Sequence, residues 1–272
     1  MGNGIVYESA PKPAYLEEDT TSSTEDYPSD SMEDEGCPKL MKQPTQTAAA
    51  TTCKIGANNL ILSQSKAYAT LFTKMRDVNT SSADFVKYSK RAMRLLAEDA
   101  IAEFPAPALH IKTPCGTFAG TQMLDPTQIC AVSIIRSGDA LLETVRECIP
   151  ECSVGKILIQ RDESHPDKPA KLFYSKMPPS VADKYVLLCD PMLATGGSAH
   201  VALDVLVVTY KVKPHRIIFA NMICAPEGVD AIHKVYPKVK IVTACVDEAL
   251  NAHKFISPGL GDYGDRFFNT QE

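Results

Sequence analysis

Residues 184–206 read KYVLLCDPMLATGGSAHVALDVL. The apolar run from Tyr185 to Cys189 ends on a carboxylate, Asp190. Pro191, Met192 and Leu193 follow, then the small residues Ala194, Thr195, Gly196, Gly197 and Ser198. Glycines let a backbone turn tightly and approach a ligand closely. Apolar residues then recur at helical spacing as Val201, Val205 and Val208, so the segment reads as strand, loop and helix. The free N–H groups and positive dipole end of a helix start favour a phosphate. Thr195 and Ser198 add hydroxyl donors, and Asp190 can accept hydrogen bonds from sugar hydroxyls. An acid beside such a cradle suits a ribose 5-phosphate. Taken alone, the same residues also suit a tight strand–helix turn that binds nothing. No Lys follows the glycines, so this is not a Walker A loop, and the spacing is not GxGxxG.

A second unusual segment lies near the C-terminus, VDEALNAHKFISPGLGDYGDRFFNT over residues 246–270. Pro258 with Gly259, Gly261 and Gly264 implies a tight, irregular loop between apolar residues. Such a loop exposes backbone N–H and C=O groups that can read a small planar ring along its edge.

Other elements must bring these two loops together. Short apolar runs alternate with helical patterns. Strands are expected at Ile129–Ile135, Lys156–Gln160, Lys171–Lys176, Tyr185–Cys189, Arg216–Met222 and Val239–Val246. Helices are expected at Asp139–Cys148, Gly196–Lys211 and Gly228–Tyr236. A longer helix, Ser82 to Phe104, is capped by Ser81 or Ser82 and stopped by Pro105 and Pro107. Continuous apolar strands predict a parallel sheet covered on both faces, and ligands in such sheets bind beyond the strands' carboxyl ends. Arg136, Arg161 and Asp190 each follow a strand run, which places them on one edge. Residues 162–176 read as a hairpin or flap.

Together the motifs carry a family resemblance. DPMLATGGS resembles the phosphate loop of the phosphoribosyltransferases, and PGLGDYGDRFF resembles the base-binding segment of the uracil phosphoribosyltransferases. CAVSIIRSG, LIQRDE, CAPEG and KVKIVTACVDEALN also resemble segments of that family, in its order. The resemblance runs from about Gln64 to Thr270. It implies an α/β fold with a parallel, Rossmann-like sheet, helices on both faces and a hairpin hood. It also implies transfer of phosphoribosyl from 5-phosphoribosyl 1-pyrophosphate (PRPP) to uracil, giving UMP and pyrophosphate.

On that resemblance PRPP meets Arg136, Arg161, the loop Asp190 to Ser198 and Asp262, with Arg136, Arg161 and Asp262 serving the chemistry. Guanidinium forks match phosphate oxygens, so the two arginines suit the leaving pyrophosphate. Arg76 also lies in a matching segment. Asp262 helps place PRPP and its magnesium, an ion carried by the substrate with no direct protein cage. Backbone groups of Ile256 and of Gly261, Asp262 and Tyr263 complement uracil's O2–N3–O4 edge, with the Tyr263 ring covering the base. GTP is a candidate allosteric activator, and a homo-oligomer (dimer or tetramer) is expected. Ser137, Ser257 and Ala249 depart from the family's usual residues. The alternative is a catalytically weak nucleotide-binding homologue with a regulatory role.

Composition bounds the rest. The chain has 272 residues, 44% hydrophobic and 22% charged, with a net charge of −5. Residues 1–50 hold ten acidic and three basic residues, and the remainder holds 23 acidic and 25 basic. A balanced domain leaves no footprint for nucleic acid. Residues 1–57 are rich in Ser, Thr, Pro, Asp and Glu and are expected to be a disordered tail, with the enzyme domain over 58–272. No apolar run reaches membrane-span length, and no signal-peptide pattern is seen. The nine cysteines form no CxxC pair and no zinc spacing. Their odd number suits a reducing, cytoplasmic setting.

Overall fold

The computed structural model describes residues 59–161 and 170–271. The expected tail at 1–57 and the tip of the expected flap lie outside the described residues. In chain order the first elements are β1 (Leu60–Leu62), α1 (Ala67–Arg76), α2 (Ser82–Ala102), β2 (Ala108–Thr113) and β3 (Gly116–Thr121). Next come β4 (Ile129–Ile135), α3 (Gly138–Cys148), β5 (Ser153–Arg161), β6 (Ala170–Lys176), β7 (Tyr185–Cys189), β8 (Met192–Leu193) and α4 (Gly197–Asp204). The chain finishes through β9 (Ile217–Asn221), β10 (Ile223–Cys224), α5 (Pro226–Val235), β11 (Lys240–Thr243), β12 (Ala249–Leu250), β13 (Ile256–Ser257) and α6 (Tyr263–Phe268).

Seven strands form one sheet in the order β1-β11-β9-β7-β4-β5-β6. All neighbours are parallel except β6, which runs antiparallel to β5 at the edge. The chain passes from β4 to β5 and then returns to lay β7 on the other side of β4. The order therefore reverses at the β4–β7 boundary, the place where a crevice opens in such sheets.

Alternation along the strands sorts the core into two layers. Ile129 and Ala131 of β4 and Leu187 and Cys189 of β7 face a layer built from α1, α2, α3 and α6, with Phe85, Leu96 and Leu141. Cys130, Val132, Val186 and Leu188 face the opposite layer, with Leu203 of α4 and Val229 and Ile232 of α5. The expected helices on both faces are present. Ser81 caps α2 by accepting the Asp84 N–H at 3.2 Å.

Several boundaries differ from the sequence expectation. The strands at 216–222 and 239–246 are shorter, because β8–β10 and the bridge Cys224–Val246 take over where the main ladder ends. Helix α4 widens into a π turn over Val205–Thr209. That turn carries Val208 off the buried face, and it is exposed. β1, α1 and the hairpin β2–β3 had no counterpart in the expectation. The hairpin projects its Leu109, Ile111 and Phe118 side chains into solvent. Among the described residues no helix is long and apolar enough to cross a membrane.

Candidate active site

The carboxyl ends of β4 and β7 open into a cleft of about 710 Å³. Arg136, Ser137, Gln160, Asp190, Ser198 and Asp262 line it together with apolar residues of β4 and β5. The Ile135–Arg136 peptide bond is cis. A smaller hollow of about 170 Å³ follows the loop from Met192 to Ala199 and shares Asp190 and Ser198 with the cleft. An acid, a glycine-rich hollow and a second acid thus lie together at the carboxyl ends of the strands.

Local backbone geometry makes the cradle. Gly196 caps α4 in the left-handed region, at φ +82, which favours glycine. The next residues open a helix whose first N–H groups lack helical partners. Thr195 and Gly197 are exposed there. A Cβ at Gly197 would meet nothing closer than the Thr195 hydroxyl at 3.7 Å. Behind the loop, the start of α5 presses on it. A Cβ at Gly228 would lie 2.4 Å from the Ala194 carbonyl oxygen, and the Ala225 N–H donates to the Leu193 carbonyl at 2.9 Å.

The charges are set by their surroundings. Asp190 sits at the cleft wall, and desolvation pushes its carboxyl up to about 7, aided by the negative charge of Asp262 and opposed by a hydrogen bond from the Met192 N–H. Arg136 is already engaged. It pairs with Asp265 of α6 at 2.6 Å and donates to the Thr270 hydroxyl at 3.0 Å. Hydrogen bonds from Thr270 and Arg136 hold the Asp265 carboxyl below its usual range. An exposed pair of this kind contributes little to stability, so a phosphate can readily exchange for it. The backbone of Arg161 ends β5 opposite Ala170, and its side chain lies outside the described residues.

The C-terminal segment corrects two expectations. Gly264 is not in an irregular loop but inside α6, capped by Asp262, whose carboxylate accepts the Asp265 N–H at 2.9 Å. A Cβ at Gly264 would lie 2.8 Å from the Ser137 hydroxyl, so the glycine lets α6 close on the loop after β4. The Tyr263 ring does not cover the cleft. It is 1% exposed, stacks on Phe267 and packs against Phe85, and its hydroxyl donates to the Met93 sulfur. An aromatic with this much apolar surface is better placed in the core beneath the loop than in water. Ile256 is also buried, in the short pair β12–β13. Of the residues expected to read a base, Asp262 lines the cleft and Gly261 is exposed beside it at φ +81.

Two arginines, Arg266 and Arg76, hold this segment. Arg266 is buried and donates to the carbonyls of Met75, Leu260 and Asp77, with its guanidinium 4.3 Å from the Phe85 ring centroid. Arg76, expected only as a weaker site candidate, pairs instead with the buried Asp247. Asp247 lies in the matching segment KVKIVTACVDEALN, but nothing local marks it as a structural partner 171 residues from Arg76.

A crevice at the strand-order reversal, with a glycine turn and an acid at the end of β7, is the arrangement in which open α/β sheets bind ligands. The profile of the uracil phosphoribosyltransferase family matches residues 62–270. The uracil phosphoribosyltransferases of Lachancea kluyveri and Saccharomyces cerevisiae are 43% and 42% identical to the chain, over 78% of it and 96% of each relative. The Dictyostelium discoideum uracil phosphoribosyltransferase is 40% identical over 79% of the chain and 98% of its own length. Among solved structures, the AQ2163 protein of Aquifex aeolicus superposes with a TM-score of 0.66 at 30% identity, covering 77% of the chain and 97% of that protein. The chain belongs to the uracil phosphoribosyltransferase family.

Proposed function

We propose that this chain transfers the 5-phosphoribosyl group of PRPP to uracil, giving UMP and pyrophosphate. The observation that carries the proposal is that Asp190 and Ser198 line both the cleft that holds Asp262 and the hollow along Thr195–Ser198, in a chain of this family. In this reading the α4 N-terminus and the Thr195 and Ser198 hydroxyls take the 5-phosphate. Asp190 accepts from the ribose hydroxyls. Arg136 and Arg161 meet the pyrophosphate, Arg136 by giving up Asp265. Asp262 faces the ribose as the C1–O bond to pyrophosphate breaks and positive charge grows on the sugar ring. Backbone groups of Ile256 and of Gly261 to Tyr263 orient uracil.

The donor set fits a substrate-carried magnesium. The two carboxylates that share the cleft, Asp190 and Asp262, are hard oxygen donors. Magnesium commonly binds one or two carboxylates together with substrate phosphates and water. When bound, the ion would neutralise charge on the departing pyrophosphate.

The direct test is UMP formation from labelled uracil and PRPP, with and without magnesium. Backbone reading predicts that 5-fluorouracil also reacts, because a small 5-substituent leaves the O2–N3–O4 edge intact. Cytosine should fail, since its reversed donors and acceptors leave groups unpaired at about 1–3 kcal/mol each. Turnover of cytosine at a rate near that of uracil would sink the backbone model. PRPP binding without any UMP would favour the regulatory alternative.

Asp190 supplies a pH test. Its folded-state pKa is raised to about 7, against about 3.9 in an unfolded chain. Proton uptake thus favours the fold, and that contribution fades as pH rises from the lower value through the upper one. Sugar-hydroxyl recognition needs the ionised acceptor, so PRPP affinity should strengthen as pH climbs through about 7. Calorimetric titrations from about pH 5.5 to about 8.5 should show this rise in the wild type. The phosphates' own ionisation adds a slope common to both proteins. If Asp190→Asn keeps the full wild-type slope, Asp190 is not the titrating acceptor.

A further inference from the structure

Gly259 lies between the cis Ser257–Pro258 bond and Gly261. Both of its backbone polar groups are held by one ion pair outside the cleft. Arg76 closes α1 and sends its two terminal nitrogens to Asp247, at 2.8 Å from Oδ2 and 2.5 Å from Oδ1. The same guanidinium donates to the Gly259 carbonyl at 2.6 Å. Asp247 Oδ2 in turn accepts the Gly259 N–H at 2.7 Å. The pair is mostly enclosed, with 23% of the Arg76 side chain and 4% of the Asp247 side chain exposed. The Cys245 thiol completes the ring of contacts, accepting from Arg76 at 3.3 Å.

The segment this pair grips has little internal stiffness. Gly259 and Gly261 both take positive φ, +61 and +81, and glycines carry more conformational freedom than other residues. At Gly259 a Cβ would sit 2.1 Å from the Ile256 carbonyl oxygen, so the turn closes by direct backbone approach. Backbone groups can discriminate between bases only if they are held in place before the base arrives. A bidentate guanidinium–carboxylate fork is a planar, directional anchor of the kind required.

We infer that the Arg76–Asp247 pair is a positioning clamp for the base loop, setting uracil affinity through Gly259 without touching substrate. The inference rests on Ile256 to Tyr263 being the base loop. Neither residue is among those lining the cleft, and Asp262 is fixed separately as the cap of α6, so the clamp should act on uracil and leave PRPP binding alone.

Steady-state kinetics of the full chain carrying Arg76→Lys or Asp247→Asn test it, with Gly261→Val as a reference inside the loop. Lysine keeps the charge but cannot grip Asp247 and Gly259 with one planar fork. Both clamp variants should raise the KM for uracil at least about tenfold while the KM for PRPP stays within about twofold. Circular dichroism melts fix an assay temperature at which each variant is folded. If Asp247→Asn does not fold, Arg76→Lys decides alone, since Arg76 keeps part of its surface in water. Equal rises in both KM values would mark a general structural role and overturn the clamp. An unchanged uracil KM in the clamp variants, with a raised one in Gly261→Val, would overturn the clamp and leave the base loop standing. An unchanged uracil KM in all three would overturn the base loop itself and the clamp with it.

Discussion

Gly197→Val is expected to weaken PRPP binding at least about a hundredfold while barely moving the melting temperature. Losing two charge-assisted hydrogen bonds at about 1.5–3 kcal/mol each is enough for that factor. The branched side chain would stand where a phosphate must reach the N–H groups that open α4. The fold itself has room, because the nearest atom to a Cβ there is 3.7 Å away. The folded-state penalty should therefore be small, because Val is no worse a helix former than the Gly it replaces. Gly228→Ala is the contrast. Its Cβ would lie 2.4 Å from the Ala194 carbonyl oxygen, so α5 must move off the loop, and both stability and binding should fall. Calorimetric titration with PRPP beside thermal melts separates the two. Tight PRPP binding by Gly197→Val would remove the phosphate from the α4 N-terminus.

The second large effect is expected at Asp262. Removing a preorganised charge facing the developing positive sugar should lower kcat about a hundred- to a thousandfold. Asp262 also caps α6, so Asp262→Ala should lose about 1 kcal/mol of stability as well. Asp262→Asn isolates the charge, because an amide oxygen can still accept the Asp265 N–H. The asparagine variant should melt like the wild type and turn over slowly. If it keeps kcat within about threefold, Asp262 is a helix cap and its charge plays no part in the reaction.

The parts of this architecture that were legible in the sequence are the local ones. β4 and β7 are unbroken apolar runs, and Asp190 with the glycines of 196–197 announces its own turn. What escaped is long-range or hidden by composition. The α1 segment carries Tyr68, Leu71, Phe72 and Met75 at helical spacing, and all four are buried. That spacing spans only ten residues, against 21 in α2. In the C-terminal segment, three glycines and a proline suggested only loop. The Asp262 cap and the apolar pair Phe267 and Phe268 were the signals that a helix starts there. The site of Tyr263 had no local signal. Its ring goes inward because Phe85 and Met93, distant in sequence, offer it a pocket. The Arg76–Asp247 pair is of the same kind, as charge alone names no partner.

The polar grip on α1 also has a bearing on the order in which the protein comes together during synthesis. The Met75 carbonyl waits for Arg266, 191 residues later, and Arg76 waits for Asp247 and Gly259. At about 5–20 residues per second, α1 leaves the ribosome many seconds before any of these partners exists. The parallel strands β4, β5, β7 and β9 all precede Asp247 in the chain, whereas the Gly259 turn and the end of α1 close only once residues 247–266 have been made. A translation pause soon after β11 would hold a nearly finished sheet with this corner still open.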